Sequence, residues 1–415
     1  MELLDVLETV WPVVKVVIYL IAPFVLCVVA AKGFLNYRNA VFFASQKYTV
    51  LEVNVPKEAV KTPLAMEVLL GLFYQTGGEA NFWEKFLKGS TCPWFSLELA
   101  AIEGSVHFFI WTRSGFAKQI EQQVYAQYPG AVVNTVDDYA KQVKYDETKK
   151  MLVVEYSLAK KESVYPIKTY NDFNLQDEGV DDGVRVDPMN YVLEFLSQTK
   201  QGEQFWLQFV IRAHKANESD WSKRVWYKPS TWNKSKSSYE ENAKKEIEKI
   251  KDESAKKIKD KEGKESTQVI PATKGQSDRI AAIERKQSKL AFDVGIRSIY
   301  IADKDKFNKG MFGSLMGLLR PFGLNDMNSF KPNNLLKQSY PWEDLFDVRT
   351  EQKRRDAFFA FQKRSFWYFP QVSNTTIMNV EELATVYHFP SMSITSPSVN
   401  KVMSKHAEPP GNLPI

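Results

Sequence analysis

The sequence predicts an α+β fold in which one N-terminal transmembrane helix precedes two ferredoxin-like (βαββαβ) units. Three observations support this prediction: an uncharged apolar stretch near the N-terminus, a β-α-β-β-α-β pattern over residues 48–136, and a similar pattern over residues 137–331. A charged helical insertion, residues 214–288, interrupts the second pattern. A chain of 415 residues is long enough for about two or three folded units.

The first element is a membrane helix over residues 11–34, which follows an acidic tail over residues 1–10. The run Val16–Ala31 holds no charge, and its apolar flanks extend it to the roughly 20 residues that a bilayer requires. A cleaved signal peptide is the alternative, but the acidic N-terminal region is atypical of one. Lysine and arginine follow the span, so the positive-inside rule predicts an outside N-terminus and cytoplasmic soluble domains.

The first ferredoxin-like unit begins with a strand in which apolar and other residues alternate, and Pro56 ends it. Thr62 and Pro63 are typical of a helix start. Gly104 and Ser105 predict the turn of a β-hairpin. In chain order, the predicted elements are strand Tyr48–Pro56, a helix from Pro63, hairpin Trp94–Gly115, helix Phe116–Tyr128 and strand Ala131–Val136.

The second unit repeats this order, which indicates an internal duplication. Asp187 is a suitable N-cap for the first helix of this unit. Its predicted elements are strand Met151–Leu158, helix Pro188–Gln198, strand Phe205–Ala213, strand Leu290–Lys304, a helix around Phe307–Leu319 and a short strand near Phe330.

The insertion is dominated by charge between Asn233 and Glu265, where eleven lysines and nine acidic residues occur. Acidic residues and lysines recur at i,i+4, which favours a solvated helix. We therefore expect an exposed spacer, with a partner-binding coiled-coil hairpin as the alternative. Residues Val269–Gln276 predict a flexible joint.

Composition and motifs argue against several classes of function. The net charge of +5 requires no particular partner, and two cysteines cannot form a disulfide framework. Four histidines show no ligand spacing, and no phosphate-binding loop, zinc-protease or nucleophile-elbow motif occurs. We therefore predict no catalytic residue, no cofactor and no metal, although an enzyme of unrecognised chemistry centred on the hairpins stays open.

Two basic and aromatic stretches are candidate contacts for nucleic acid or lipid, because cations neutralise phosphate and rings stack on bases. Packing is the simpler interpretation of both stretches. In the second, Arg349–Pro370, it places the aromatic side of a helix on the protein body and the basic side outward. The candidate contacts are Lys223, Arg224, Trp226 and Lys228 in the first stretch, and Lys353, Arg354 and Arg355 in the second.

The segments NVEELATVYHFP (Asn379–Pro390) and SKHAEPPGNLPI (Ser404–Ile415) carry a family resemblance. They resemble the region ahead of the ATPase core in bacterial conjugation-type and HerA-type motor proteins. Earlier segments, such as PLAMEVLLGLFYQTGGE, look like the membrane-anchored N-terminal domain of unknown function that precedes such motors in type IV secretion-like systems. The Walker A loop of the fused relatives is absent here.

The resemblance implies a non-catalytic platform in the bacterial cytoplasmic membrane for a DNA- or protein-translocating P-loop ATPase supplied in trans. It also implies a C-terminal docking segment and extended linker over residues 332–415, and a homo-oligomer is compatible with this role. A membrane-tethered nucleic-acid-binding protein is the alternative. The docking residues carried over are Glu381, Glu382, Leu383, Ala384, His388, Phe389 and Pro390, and the linker residues are Glu408, Pro409 and Pro410.

Overall fold

A computed structural model gives the fold of this chain and separates it into two compact units. The first unit contains Met1–Lys47 and Gly77–Pro93, and the second contains Tyr48–Thr76 and Trp94–Ile415. The structure describes residues 2–56, 61–78, 83–146, 148–160, 163–176, 186–215, 238–259, 265–269, 273–334, 347–368, 373 and 375–389.

A single long helix, α1 (Glu2–Ser45), dominates the first unit. Its 44 residues extend about 66 Å at a rise of about 1.5 Å per residue. The stretch Ile21–Ser45 is long and apolar enough to cross a membrane. This stretch overlaps the predicted span 11–34 but ends later, and residues 2–10 of the expected acidic tail are part of the same helix.

The rest of the first unit packs closely on α1. It contains a short π-helical turn, Trp83–Lys88, followed by Gly89 in the left-handed conformation at φ 66°. A Cβ atom at Gly89 would lie 2.4 Å from the backbone carbonyl of Arg38. Glycine is therefore required at position 89, both for its backbone angle and for the close approach to α1.

Nine strands of the second unit form one antiparallel sheet within the described residues, and two more form a separate hairpin. The sheet strands are β1 (Tyr48–Asn54), β2 (Trp94–Ile102), β3 (Ser105–Arg113), β4 (Val132–Val136), β5 (Lys149–Leu158), β6 (Glu203–Ala213), β9 (Ala291–Asp303), β10 (Phe330–Asn334) and β11 (Thr376–Asn379). The hairpin strands are β7 (Ala255–Lys259) and β8 (Glu265–Val269).

Helices cover both faces of this sheet. They are α2 (Pro63–Gly71), α3 (Ser114–Gln127), α4 (Tyr139–Gln142), α5 (Pro188–Ser197), α6 (Ser238–Ser254), α7 (Lys274–Ser288), α8 (Met311–Gly317), α9 (Val348–Gln362) and α10 (Val380–Val386), with a 3-10 turn at Arg320–Phe322.

The sheet consists of two halves with the same internal order. One half has the order β4-β1-β3-β2, and the other has the order β10-β5-β9-β6. The halves join where β2 pairs with β6 in a register that runs from Trp94 opposite Arg212 to Ile102 opposite Gln204. Strand β11 pairs with Ala291–Val294 of β9, next to the stretch of β9 that β5 pairs with.

The two faces of the sheet differ in chemistry. On the first face, the odd-numbered residues of β2, such as Leu97 and Leu99, belong to a continuous apolar core with α2, α3, α5, α8 and α10. On the second face, the even-numbered residues of β2 include Ser96 and Glu98, and α9 packs over Trp206. Strand alternation thus separates an apolar face from a mixed aromatic and charged face.

The structure confirms the α+β class, the N-terminal apolar helix and a large antiparallel sheet. Individual elements also lie where the sequence predicted them, and Asp187 caps α5 by accepting a hydrogen bond from the Met189 amide at 2.8 Å. The outward-facing basic side of α9 agrees with prediction, because Lys353 and Arg355 are exposed whereas Phe358 and Phe361 are buried.

The expectation for the insertion 214–288 was wrong in two respects. Helix α6 is not fully exposed, because Ala243 and Ile250 are buried with Val164 and Ile283 in a small second core. The predicted joint contains the start of α7, where Thr273 and Gln276 form a capping box. The T-x-x-Q spacing satisfies two helix-end amides, so Thr273–Gln276 forms the start of a helix.

Gly295 permits the close packing of the second face, and we predict that this position tolerates no side chain. A Cβ atom there would lie 2.4 Å from the Phe366 ring. Gly295→Ala should therefore lower the free energy of unfolding by about 1–3 kcal/mol, the usual cost of overpacking. Urea denaturation measures this loss. Gly313→Ala is the control, because no atom lies within 4 Å of its new Cβ; equal effects of both substitutions would contradict the prediction.

Candidate functional site

The segment with the strongest sequence signature, Thr376–Phe389, is built into the protein interior, and we call it the C-terminal clasp. It contains β11 and α10 and ends in a short extended stretch. Asn379 caps α10 by accepting a hydrogen bond from the Glu382 amide at 2.8 Å. The Glu382 carboxylate accepts one from the Asn379 amide at 2.9 Å. This N-x-x-E capping box explains why the helix begins at Val380.

Glu382 is fully buried and bonds to two other segments of the chain. Its carboxylate lies 3.0 Å from Lys286 Nζ, which is also fully buried on α7. It also accepts a hydrogen bond from the Ile167 amide at 2.9 Å. Burial lowers the pKa of Lys286, and the charge of Glu382 opposes that effect. The pair therefore fixes the clasp to α7 and to the loop that follows β5.

Glu381 makes a second set of polar contacts. It accepts a hydrogen bond from Asn171 at 2.7 Å and from Arg285 Nε at 3.1 Å. Lys289 Nζ lies 2.9 Å from Glu381 and also 2.7 Å from Glu67 of α2. The clasp thus connects α7 with α2 through charges as well as through apolar packing.

The aromatic end of the clasp contacts the first half of the sheet. The Phe389 ring lies 5.2 Å from that of Phe108 and packs edge-on against Tyr128 at 5.0 Å. The Tyr387 hydroxyl donates a hydrogen bond to the Phe109 carbonyl at 3.3 Å. The other end of the clasp, β11, pairs with β9 of the second half. The clasp therefore contacts both halves of the sheet and holds them together.

His388 lies between two acceptors. Its Nδ1 donates to the Ala384 carbonyl at 3.0 Å, and its Nε2 donates to the Asp187 carboxylate at 3.1 Å. Because both neighbours are acceptors, this arrangement favours the protonated imidazole. Burial favours the neutral ring, but Asp187 and the carbonyl outweigh it, so the pKa of His388 is raised. His388 is therefore a buried structural histidine that pairs with Asp187.

The second face of the sheet contains a buried network around Glu98 and Arg364, both without exposed side-chain surface. Arg364 Nε donates to Glu98 at 2.9 Å, and Arg364 Nη1 donates to Asp138 at 2.6 Å. Tyr139 and Gln208 donate to Glu98 at 2.8 and 2.9 Å. Burial opposes the charge of Arg364, but the two carboxylates together raise its pKa.

Two further arginine–carboxylate pairs lie on the same face. Arg297 Nη2 donates to Glu155 at 2.7 Å, and Arg212 Nε donates to Asp293 at 3.1 Å. Both guanidinium groups also stack on aromatic rings: Arg297 lies 4.3 Å from the Phe366 centroid, and Arg212 lies 4.6 Å from that of Trp367. The sequence analysis missed these pairs; the signal for Glu98 was a carboxylate inside the apolar strand WFSLELAAI.

A cleft of about 490 Å³ opens beside the N-terminal half of α9, and we call it the basic cleft. It contains the predicted contacts Arg354 and Arg355, whereas Lys353 does not line it. Its lining residues are Tyr145, Asp146, Lys149, Lys150, Met151, Lys304, Phe307, Lys309, Asp347, Glu351, Arg354 and Arg355.

The other predicted site residues divide into two groups. The structure buries most of the docking group in the clasp, so these side chains contact the protein's own body. The second group lies outside the described residues and comprises Lys223, Arg224, Trp226, Lys228, Pro390, Glu408, Pro409 and Pro410. Among the described residues, no cluster of three histidine, cysteine or acidic side chains could hold a metal ion.

Comparison with known proteins places this arrangement in a family. A model for a domain of unknown function, DUF8128, matches residues 44–402. The chain belongs to the DUF8128 family. The match extends from the end of α1 through the whole clasp. No curated protein matches the chain.

We predict that Arg364 is essential to the stability of this DUF8128 protein. Arg364→Met leaves Glu98 buried without its cation, which should lower the free energy of unfolding by about 3–5 kcal/mol. The control is Arg355→Met, because that side chain is 59% exposed and its ion pair within the described residues is with Glu351 on its own helix. Its cost should stay within about 0.5 kcal/mol in urea denaturation. Similar losses in the two variants would argue against a central role for the Arg364 network.

The His388–Asp187 pair should make stability depend on pH. The pKa of His388 is raised above its usual 6.5, so its contribution is complete below that pH and is lost as pH rises through the folded value. Burial raises the pKa of Asp187, but the contact with His388 outweighs burial and lowers this pKa below 3.8. The stability that ionised Asp187 contributes is therefore lost only in acid. Between about pH 6 and pH 9, the wild type should lose more stability in urea denaturation than His388→Gln. Parallel pH profiles would contradict this assignment.

Proposed function

We propose that this DUF8128 protein is a non-catalytic, membrane-anchored platform for a conjugation-type or type IV secretion-like P-loop ATPase. The observation that carries the proposal is the burial of the C-terminal clasp. Because Phe389 packs against Phe108 of β3 and against Tyr128 just after α3, the end of the clasp has a fixed position on the body, which we propose as the exit point of the chain. A fixed exit point suits a segment that presents a motor.

The body of the platform, in this proposal, is a pair of ferredoxin-like units, residues 48–136 and 137–331. Support comes from the shared strand order of the two halves, β4-β1-β3-β2 and β10-β5-β9-β6, which is the order of a βαββαβ unit closed by its fourth strand. The antiparallel pairing of β2 with β6 then makes one continuous sheet from the two units.

The proposed orientation has the N-terminus outside the cytoplasmic membrane and the second unit in the cytoplasm. Support comes from the predicted span 11–34, which overlaps the apolar stretch Ile21–Ser45 and is followed by Arg38 and Lys47. Acidic residues precede it. The positive-inside rule connects this asymmetry to orientation.

The buried clasp also changes which residues would meet the partner. Leu383, Ala384 and Phe389 are covered by the protein's own core, so they would act by holding the exit point rather than by touching the ATPase. Contact with the motor would then fall to residues beyond Phe389, above all Glu408, Pro409 and Pro410.

Co-purification from the native membrane tests this proposal. We expect the full-length protein in mild detergent to recover a P-loop ATPase, identified by mass spectrometry. Changing Glu408, Pro409 and Pro410 together to alanine should reduce that recovery about tenfold or more, equal to roughly 1.4 kcal/mol of binding free energy. The melting temperature should not change, because the substitutions lie beyond the clasp.

Two further variants keep the test specific. Changing Ser391, Ser393 and Ser396 to alanine is the matched control in the same C-terminal region, and it should leave recovery unchanged. Leu383→Asp should unfold the second unit, since it places a charge in the apolar core. If the Glu408 triple variant recovers as much ATPase as the wild type, the proposed contact is refuted. If the wild type recovers no P-loop ATPase, the platform proposal is refuted.

A further inference from the structure

We propose that the basic cleft binds single-stranded nucleic acid through its phosphodiester backbone. This inference does not depend on the platform proposal, because it concerns a different surface of the second unit. Its basis is the combination of excess positive charge, cations without local partners and two aromatic rings in one cleft.

The lining of the basic cleft has a clear excess of positive charge. It contains six lysine or arginine residues and three carboxylates, so three positive charges are not balanced within the cleft. The surplus is concentrated, since the whole second face elsewhere pairs its buried arginines with acids. Such a concentration attracts phosphates and raises the association rate of polyanions.

Three of the cations are available for a ligand. Lys150, Lys304 and Lys309 are exposed and make no ion pair with any carboxylate in the described part of the chain. The other cations are held in place: Lys149 lies 2.8 Å from Asp303, and Arg354 lies 3.1 Å from Glu351. The available lysines can therefore neutralise phosphates while their paired neighbours keep the cleft in shape.

Two aromatic side chains form part of the wall. The Tyr145 hydroxyl donates to Glu351 at 3.3 Å, and its ring lies 5.8 Å from that of Phe358. Phe307 is half-buried beneath Lys150, whose ammonium lies 5.8 Å from the ring centroid. Rings that are fixed beside cations provide stacking surfaces for unpaired bases, the common arrangement in single-strand binders.

The lining favours nucleic acid over a lipid surface. A protein surface that inserts into the acyl region of a bilayer carries exposed apolar side chains. None of the cleft's lining residues is among the large exposed apolar side chains of the described residues. The cleft therefore offers cations for phosphates and aromatic rings for bases, and its described lining residues offer no exposed apolar side chain for insertion into lipid.

Fluorescence anisotropy with the full-length protein in neutral detergent tests the inference. The probe is a fluorescein-labelled 20-residue oligothymidylate. The triple variant Lys150→Glu, Lys304→Glu and Lys309→Glu should weaken binding about tenfold or more. The slope of log affinity against log salt should fall by about 2, since each lost contact to a single strand changes it by about 0.7.

The matched control reverses three exposed lysines away from the cleft, namely Lys118 on α3 with Lys245 and Lys249 on α6. It changes the net charge equally and should retain wild-type affinity. Circular dichroism melting should show that both variants stay folded. Equal losses in the two variants would mean that net charge alone drives binding, which would overturn the cleft as a site.

Competition experiments decide the ligand class. Unlabelled oligothymidylate should displace the probe at concentrations about tenfold below those of polyglutamate or of a DNA duplex with the same charge. Equal displacement by polyglutamate would identify a site for any polyanion and overturn the inference. Stronger displacement by vesicles containing phosphatidylglycerol would identify a lipid site and overturn it as well.

Discussion

The central constraint on this fold is a carboxylate in the middle of a wide antiparallel sheet. Glu98 lies on β2, the strand at the junction of the two halves, and its side chain has no exposed surface. A buried carboxylate is costly unless a cation and hydrogen-bond donors reach it. Arg364, which is 266 residues later in the sequence, meets that need together with Tyr139 and Gln208. Helix α9 and the turn after it must therefore pack on the second face.

The clasp imposes a similar requirement on the first face. Glu382 and Lys286 form a fully buried pair, and each would be an uncompensated charge without the other. The same segment supplies β11 to the sheet and two aromatic rings to the core. Two parts of the C-terminal region, one on each face, thus complete a sheet whose other strands all come earlier in the chain.

The sequence predicted most local elements because their signals are local. Asp187 before Pro188 marks a helix start, alternation marks the strands, and Gly104 marks the hairpin turn. The capping box at Thr273 is equally local, but the segment Val269–Gln276 was interpreted as a flexible joint. The sequence could not predict the ion pairs Glu98–Arg364 and Glu155–Arg297, because their members are 266 and 142 residues apart. No spacing rule connects residues so far apart, and a basic aromatic stretch does not reveal that its last arginine is buried.

The late position of Arg364 and the clasp has a consequence for biosynthesis. The ribosome releases α1 first, so the stretch that is apolar enough to span a membrane emerges long before the second unit can close. Until residue 364 has emerged, Glu98 lacks its cation. Until residue 382 has emerged, Lys286 lacks its carboxylate, and β9 lacks β11 until residue 379 has emerged. A nascent or truncated chain would thus have an open sheet, which exposes it to chaperones and proteases. Emergence of the clasp becomes the event that commits the body to its folded state.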